Sequence, residues 1–208
     1  MTQIKQRAVG AEQRQQRIQQ ILTATQRRFE QQDFHAIRLI DIAADVGITK
    51  AALYRYFRNK EVLFLALYEQ NLEVMVSNVK ENLNQMPFLD ALAKGVADAP
   101  MYCKLTCILH TVLESNLTVE EAITFKRELA AQLADKMTLM SQFLSATPEQ
   151  TTQLFLMMHH CVIGAWANCS HGEVIAQALE TPELSMFKVD FSTVIRIHIQ
   201  QIFGEFIL

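Results

Sequence analysis

The feature that most constrains this chain is the segment 39–60, with the sequence LIDIAADVGITKAALYRYFRNK. Its first part has apolar residues at positions i, i+3, i+4 and i+7, which predicts a short amphipathic helix carrying Leu39, Ile42, Ala43 and Val46. Gly47 then allows the chain to turn, and Thr49 can cap a second helix that begins at Lys50. Two short helices joined by such a turn form a helix-turn-helix, whose second helix can enter a DNA major groove.

The second predicted helix has one apolar side and one polar side. Leu53 and Phe57 are four residues apart, so we expect them to anchor the helix on a core. Basic and tyrosine side chains can contact phosphates, and basic ones can also contact guanine. We therefore predict that Lys50, Tyr54, Arg55 and Lys60 contact DNA. The small residues Ala51 and Ala52 permit close approach to a base pair. The alternative is a solvated basic corner whose aromatic residues belong to the core.

The sequence AALYRYFRNKEVL resembles the recognition helix and following helix of the TetR family of bacterial regulators. RIQQILTATQRRFEQQDF resembles that family's first helix and DIAADVGIT its second helix and turn, so the resemblance covers roughly residues 14–68. It implies that Thr49, Lys50, Tyr54, Tyr56 and Lys60 touch DNA, with Asn59 capping the next helix. Two positions depart from the pattern, because Asp33 replaces the usual glycine and Arg38-Leu39 replaces a Ser/Thr cap. We expect Arg38 to contact phosphate instead.

Composition predicts a globular helical protein. The chain has 208 residues, of which 50% are hydrophobic and 20% charged, and it has only 6 Gly and 4 Pro, which favours long helices. No apolar run approaches the 18 residues of a membrane span, and the first twenty residues are rich in Gln and Arg. We therefore expect a cytoplasmic protein that does not enter a membrane, with four reduced cysteines.

The charge is distributed unevenly along the chain. Residues 1–60 contain 11 Lys and Arg against 5 Asp and Glu, a balance of +6, whereas residues 61–208 contain 8 against 17, a balance of −9. A basic module joined to an acidic one is typical of a DNA-binding domain attached to a domain with another task. We predict a DNA-binding domain at 1–59 and a ligand-binding and dimerisation domain at 60–208.

The capping and breaking residues predict an all-α chain of about nine helices. Residues 1–11 look like a flexible basic arm. The periodic segments and their caps place the helices at 12–32, 39–46, 50 onward, 60–84, 87–96, 100–115, 118–144, 148–170 and 185–206, with a helical turn at 173–179. Thr118 with Glu121 and Thr147 with Gln150 match the capping-box pattern at two of these starts.

The C-terminal domain is rich in methionine and aromatic residues. Methionine suits surfaces that accept varied apolar ligands, although core packing is the more common role of any single one of these side chains. The family resemblance implies a small-molecule pocket among the helices of 87–170. Its polar contacts could be Glu114, Asn116 or His110. The proposed lining residues are Tyr102, His110, Glu114, Phe125, Met137, Phe143, Met158 and Trp166. The acidic surroundings suggest a hydrophobic or mildly cationic ligand.

The helices at 148–170 and 185–206 carry apolar residues on more than one face. We expect that one chain cannot bury all of them, and the resemblance implies a twofold homodimer with a four-helix interface. The proposed interface residues are Phe155, Met158, Val162, Trp166, Val194, Ile195, Ile199, Ile202 and Phe206.

A second interpretation concerns thiol and imidazole groups. Cys103, Cys107 and His110 are spaced i, i+4, i+7 on one predicted helix, and His159 could join them, so the domain could sense a soft metal or an oxidant. Buried structural cysteines are the more common case. No phosphate-binding loop, dinucleotide loop, zinc-protease motif or nucleophile elbow is found, so we expect no enzyme activity, no cofactor and no metal.

Together these features predict a homodimeric regulator that binds a palindromic double-stranded DNA operator. The family resemblance favours a repressor that a small-molecule effector releases. The helix starting at Lys60 is the one continuous element that we can trace from the recognition helix into the C-terminal domain. We therefore expect it to transmit the signal.

Overall fold

The computed structural model describes residues 2–170 and 172–208, with side chains from Gly10 onward. The described residues form ten α-helices and no β-sheet, so the predicted all-α fold is confirmed. The helices are α1 (Thr2–Gln31), α2 (Leu39–Asp45), α3 (Lys50–Leu53), α4 (Lys60–Asn82), α5 (Phe88–Ala97), α6 (Pro100–Ile108), α7 (Val119–Ser141), α8 (Pro148–Cys169), α9 (Glu173–Ala178) and α10 (Phe191–Phe203). Short helical turns occupy Phe34–Ala36, Leu109–Leu113, Pro182–Phe187 and Gly204–Phe206.

The chain divides into two compact units, Met1–Leu67 and Tyr68–Leu208, here called the head and the body. The boundary falls within α4, so residues 60–67, which the sequence pattern attached to the C-terminal domain, belong to the head. Over the described residues, no helix is both long and apolar enough to cross a membrane.

The head is built on a small apolar core at the crossing of its helices. Phe64, at the start of α4, lies between two aromatic rings, with edge-on centroid distances of 5.1 Å to Phe29 and 4.8 Å to Phe34. Ile42 of α2 and Leu53 of α3 are fully buried. The apolar stripe predicted for α2 therefore faces this core, to which α1 contributes Phe29.

The body is a bundle in which α8 and α10 pack against each other. α10 also contacts α5, and α8 also contacts α6 and α7. At Gly95 the backbones of α5 and α4 approach closely, since a Cβ there would lie 2.4 Å from Val79 Cγ2 and 2.8 Å from Val79 N. The two predicted capping boxes are present, at Thr118–Glu121 and at Thr147–Gln150.

Two predictions about helix boundaries were wrong, and one predicted helix contains a π-helical turn. Residues 2–11 are not a flexible arm but the first turns of α1, because their Gln, Lys, Arg and Ala residues favour helix. The last helix begins at Phe191 instead of near residue 185, because Asp190 caps it by accepting from the Thr193 N–H at 2.8 Å. The helix from Pro100 changes to a π-helical turn at Leu109–Leu113, which alters the register of the residues that follow Ile108.

Candidate functional site

The turn between α2 and α3 follows directly from its residues. Gly47 has φ of +66°, a left-handed conformation that a residue with a Cβ adopts only with strain. Thr49 then has an extended backbone, and its Oγ1 accepts a hydrogen bond of 3.1 Å from the Ala52 N–H. This N-cap satisfies one of the free donors at the start of α3. The predicted helix-turn-helix is therefore present.

The predicted faces of the second helix are also present. Leu53 is 0% exposed and Phe57 5%, whereas Lys50, Tyr54 and Arg55 are exposed. Regular α-helix ends at Leu53, and the chain continues to Phe57 through tighter turns that hydrogen-bond back to Leu53. The Lys50 ammonium lies 5.6 Å from the centre of the Tyr54 ring, so these two side chains share one exposed surface.

Two arginines of α1 hold α2 in place, and the sequence patterns did not identify them. Arg28 makes a two-pronged contact with Asp45, with nitrogen–oxygen distances of 2.5 and 2.8 Å, and its Nη2 also donates to the Asp41 carbonyl at 3.3 Å. Arg17 donates to the Val46 carbonyl at 3.2 Å. Since these partners are 13 to 29 residues away, no local spacing rule could have revealed them.

Lys60 has a structural role beside its predicted DNA contact. Its Nζ donates to the Phe34 carbonyl at 2.7 Å and the Ile37 carbonyl at 3.0 Å, and it lies 4.1 Å from the centre of the Phe34 ring. Burial lowers the pKa of this ammonium. The lysine therefore closes the short turn Phe34–Ala36 onto the start of α4. Asn59 caps that start, as predicted, by accepting from the Val62 N–H at 2.7 Å.

The other predicted DNA residues surround α3. Arg38 is exposed and forms a two-pronged pair with Asp41, at 2.8 Å in both contacts, which lowers the pKa of the Asp41 carboxyl. Ala51 is exposed and Ala52 half-buried. Tyr56 is half-buried and, with Arg55, lines a groove of about 580 Å³ that also includes Arg14 of α1. Arg14 extends the basic surface and was absent from the sequence prediction.

The predicted pocket residues of the body fall into several groups of contacts. Met137 and Met158 line a cavity of about 40 Å³, and Phe143 stacks on Phe88 of the same lining at 4.7 Å. The other members lie elsewhere: Tyr102 and Phe125 pack on Tyr68 at 5.8 and 6.4 Å, Trp166 packs on Phe191 at 5.0 Å, and His110 and Glu114 form a polar cluster with Lys126.

One chain buries most, but not all, of the predicted interface residues on its last two long helices. Six of the predicted interface residues are at most 9% exposed within the single chain, because α10 packs against both α5 and α8: Phe155, Met158, Val162, Ile195, Ile199 and Ile202. Trp166, Val194 and Phe206 are half-buried. The large apolar side chains that remain exposed on these two helices are Leu156, Met157 and Ile197.

The cysteine and histidine groups do not converge on a shared centre. Cys103 is fully buried and Cys107 half-buried, and desolvation raises the pKa of both thiols, that of Cys107 to about 11, which disfavours the reactive thiolate. Of the predicted group, His110 and His159 meet each other, with their Nε2 atoms 3.3 Å apart. Among the residues whose placement is described, no three His, Cys, Asp or Glu side chains are grouped to hold a metal.

Comparison with known proteins assigns both units. Residues 21–67 match the family described as bacterial regulatory proteins, tetR family, and residues 65–204 match the tetracyclin repressor-like C-terminal domain. The chain is 33% identical over 70 residues to the HTH-type transcriptional activator FasR of Mycolicibacterium smegmatis, which covers 34% of this chain and 32% of FasR. It is 30% identical over 95 residues to the HTH-type transcriptional regulator RutR of Escherichia coli K12, which covers 42% and 45%.

These matches span between a third and a half of the two regulators. The fold as a whole resembles that of the fatty acid degradation regulator FadR from Bacillus halodurans, with a TM-score of 0.58 and 16% identity over 89% of this chain and 94% of FadR. Since family models match the helix-turn-helix and most of the body, the chain belongs to the TetR family of DNA-binding transcriptional regulators, which are not enzymes.

Proposed function

We propose that this protein is a homodimeric repressor that binds a palindromic operator through its head and is released by a small molecule bound in its body. The observation that carries the proposal is the surface of α3, where Lys50, Tyr54 and Arg55 are exposed while Leu53 and Phe57 are buried. Such a helix can enter the major groove with its cations toward phosphates and base edges.

The remaining DNA contacts are assigned by position. Thr49, Ala51 and Ala52 lie at the start of α3, where close approach to the bases is needed, and Arg38 and Tyr56 flank it as phosphate contacts. Lys60 uses two of its three donors on backbone carbonyls, which leaves one N–H for a phosphate. Arg14 adds a further cation beside Arg55.

A twofold dimer would place two heads on the two halves of a palindrome. The exposed side chains of Leu156 and Met157 on α8 and of Ile197 on α10 support this assembly, since each is about half exposed in the single chain. These three residues form the proposed interface together with the half-buried Trp166, Val194 and Phe206 of the predicted set. Half-sites about 34–36 Å apart, or a multiple of that distance, would match such a dimer.

Release requires a link between the body and the head. The helix α4 begins at Lys60 in the head and ends at Asn82 in the body, and its body portion carries Leu72, Met75 and Val79 toward the interior. A ligand that displaces this portion would change the position of the recognition helices on DNA. A coupling of about 1–3 kcal/mol changes operator affinity about 5- to 150-fold, and DNA must weaken ligand binding by the same factor.

The test measures affinity for a duplex carrying the DNA upstream of the protein's own gene, with a shuffled duplex as reference. If a dimer neutralises about eight phosphates, the logarithm of the binding constant should fall with that of salt with a slope of roughly −7. Lys50→Ala with Arg55→Ala removes four charges per dimer and should make the slope less negative by about three to four.

The control is Lys188→Ala, an exposed lysine of the body, which should leave slope and affinity unchanged. Sedimentation of the same samples at micromolar concentration should show a species of twice 23.8 kDa. A flat salt response, or wild-type affinity in the double variant, would refute the DNA-binding surface. A species of 23.8 kDa alone would refute the dimer.

A further inference from the structure

A small cavity in the body has an almost wholly apolar surface and borders the side chain of one lysine, Lys136. It has a volume of about 40 Å³ and is lined by residues of α4, α5, α7 and α8, together with Leu83. Of its thirteen lining residues, Lys136 alone is polar. Four of the others are the methionines Met75, Met137, Met140 and Met158.

The cavity is too small for an effector as it stands, because one water molecule in the liquid already occupies about 30 Å³. Methionine side chains are unbranched and flexible, so a lining with four of them can rearrange at low cost. A ligand with a narrow apolar tail could therefore widen the space without unfolding the helices around it. The chemistry of its other end depends on Lys136.

The two partners of the Lys136–Glu73 ion pair differ in their exposure to solvent. Its side chain is only 13% exposed, and its Nζ donates to Glu73 Oε1 at 2.5 Å and to the Gln132 carbonyl at 2.8 Å. The Glu73 side chain is 53% exposed. If the pair opens, the glutamate regains water, whereas the shielded ammonium still needs an anion. Lys136 is therefore placed to exchange one carboxylate for another.

We propose that this cavity is the closed form of a binding site for a monoanionic amphiphile, a carboxylate with an apolar tail, whose carboxylate replaces Glu73 at Lys136. The tail would lie among the four methionines, beside Phe88. The inference rests on the proposed function and names the class of its effector. It reverses the charge expected from composition, since the acidic body as a whole suggested a neutral or cationic ligand.

The nearby carboxylate that could attract a cationic ligand instead is that of Glu69. Glu69 lies one helical turn before Glu73, and Glu128 of α7 acts on its carboxyl. Burial, and then the charge of Glu128, raises the pKa of Glu69 to about 7. A fraction of the molecules therefore carries Glu69 as the neutral acid at neutral pH, which weakens its attraction for a cation. The choice between the two charges can be measured directly.

The experiment compares decanoate, decyltrimethylammonium and decanol, which share a tail length, by calorimetric titration of the full chain below micelle-forming concentrations. Decanoate should bind at least about tenfold more tightly than the other two, since hydrogen bonds to charged groups contribute that much or more. Lys136→Met should weaken decanoate binding roughly 10- to 100-fold, and Lys136→Arg should restore most of it.

Glu73→Gln removes the internal competitor and should strengthen decanoate binding. The matched control is Lys188→Met, which breaks a Lys–Glu pair of 2.7 Å with Glu180 at a site outside the cavity lining and should change nothing. The proposal is overturned if the ammonium compound binds as well as decanoate, if none of the three binds, or if Lys136→Met binds decanoate as the wild type does.

Operator binding without ligand, measured on the same variants, separates the two proposals. An operator-binding protein that ignores decanoate would overturn the ligand class and leave the DNA-binding proposal intact. A protein that binds decanoate through Lys136 without any change in operator affinity would confirm the site and overturn release by that ligand, because no differential binding means no shift.

Discussion

The head and the body differ in how they accommodate polar groups. In the head, the buried Thr25 hydroxyl donates to the Ile21 carbonyl at 2.8 Å, and the Lys60 ammonium has two carbonyl partners. In the body, buried polar atoms are left without a hydrogen bond, among them Glu69 Oε1, Gln132 Oε1 and Thr151 Oγ1.

This difference indicates that the surface of the head is preformed, whereas the interior of the body can change conformation when a ligand or proton binds. A buried polar atom without a partner is costly, so a ligand or proton that satisfies it shifts the equilibrium between conformations. In the body, burial displaces the pKa values of Glu69 and His159 in opposite directions, to about 7 and about 4. We therefore expect the stability of the head to depend mainly on its backbone conformation and charged contacts. The stability of the body should depend mainly on close packing between its helices and on pH.

The largest expected effect tests the packing of the body. Gly95→Ala would place a Cβ 2.8 Å from Val79 N and 3.0 Å from Val79 Cα, and α4 and α5 would have to separate. We expect a loss of about 3 kcal/mol in the free energy of unfolding, measured with urea. Gly10→Ala, on a helix of the head with no atom within 4 Å of the added Cβ, should stabilise by up to about 1 kcal/mol. If Gly95→Ala and Gly10→Ala changed the free energy of unfolding equally, the predicted difference in packing between the two sites would be wrong.

A smaller effect concerns the pH response of the body. His159 is 6% exposed. Its pKa is lowered to about 4, from about 6.5 in the unfolded chain, mainly by desolvation and then by electrostatic repulsion from His110 and His160. The unfolded state therefore binds more protons between these values. The stabilising contribution is complete above pH 6.5 and is lost as the pH falls through 4.

The measurement compares urea unfolding at pH 7 and pH 4.5 in the wild type and in His159→Gln. The groups that face this imidazole are His110 at 3.3 Å, His160, and the Glu114–Lys126 pair. We expect the wild type to lose about 2 kcal/mol more than the variant over this interval. Hydrogen exchange should locate the loss in the body. The same pH dependence in both proteins would show that His159 is not its source.

The smallest expected effect concerns the backbone of the head. Gly47→Ala must adopt φ of +66° with a Cβ, which costs about 1 kcal/mol, although no atom lies within 4 Å of that Cβ. Gly47→Asn is the matched control, because asparagine tolerates this conformation and should cost less. Hydrogen exchange in α2 and α3 should rise in the alanine variant while the body stays unchanged. A loss spread over both units would argue against a separately responding head.

Sequence signals that act within a few residues predicted much of the structure. Gly47 and Thr49 located the turn and the start of α3, Asn59 located the start of α4, and the Thr118 and Thr147 boxes located α7 and α8. Each of these residues satisfies a backbone group at most three positions away or relieves strain at its own position. Such a preference is written in the sequence and is independent of what packs against it.

Tertiary structure decided the features that depend on distant partners. Lys60 donates hydrogen bonds to carbonyls 23 and 26 residues away, and Arg28 pairs with Asp45, which is 17 residues away. From the sequence, the apolar faces of α8 and α10 exceeded what one chain was expected to bury. In the structure α10 packs against both α5 and α8, and Leu156, Met157 and Ile197 remain exposed. An amphipathic pattern gives the direction of a face on its own helix. Which neighbour buries that face is set by the packing of the whole bundle.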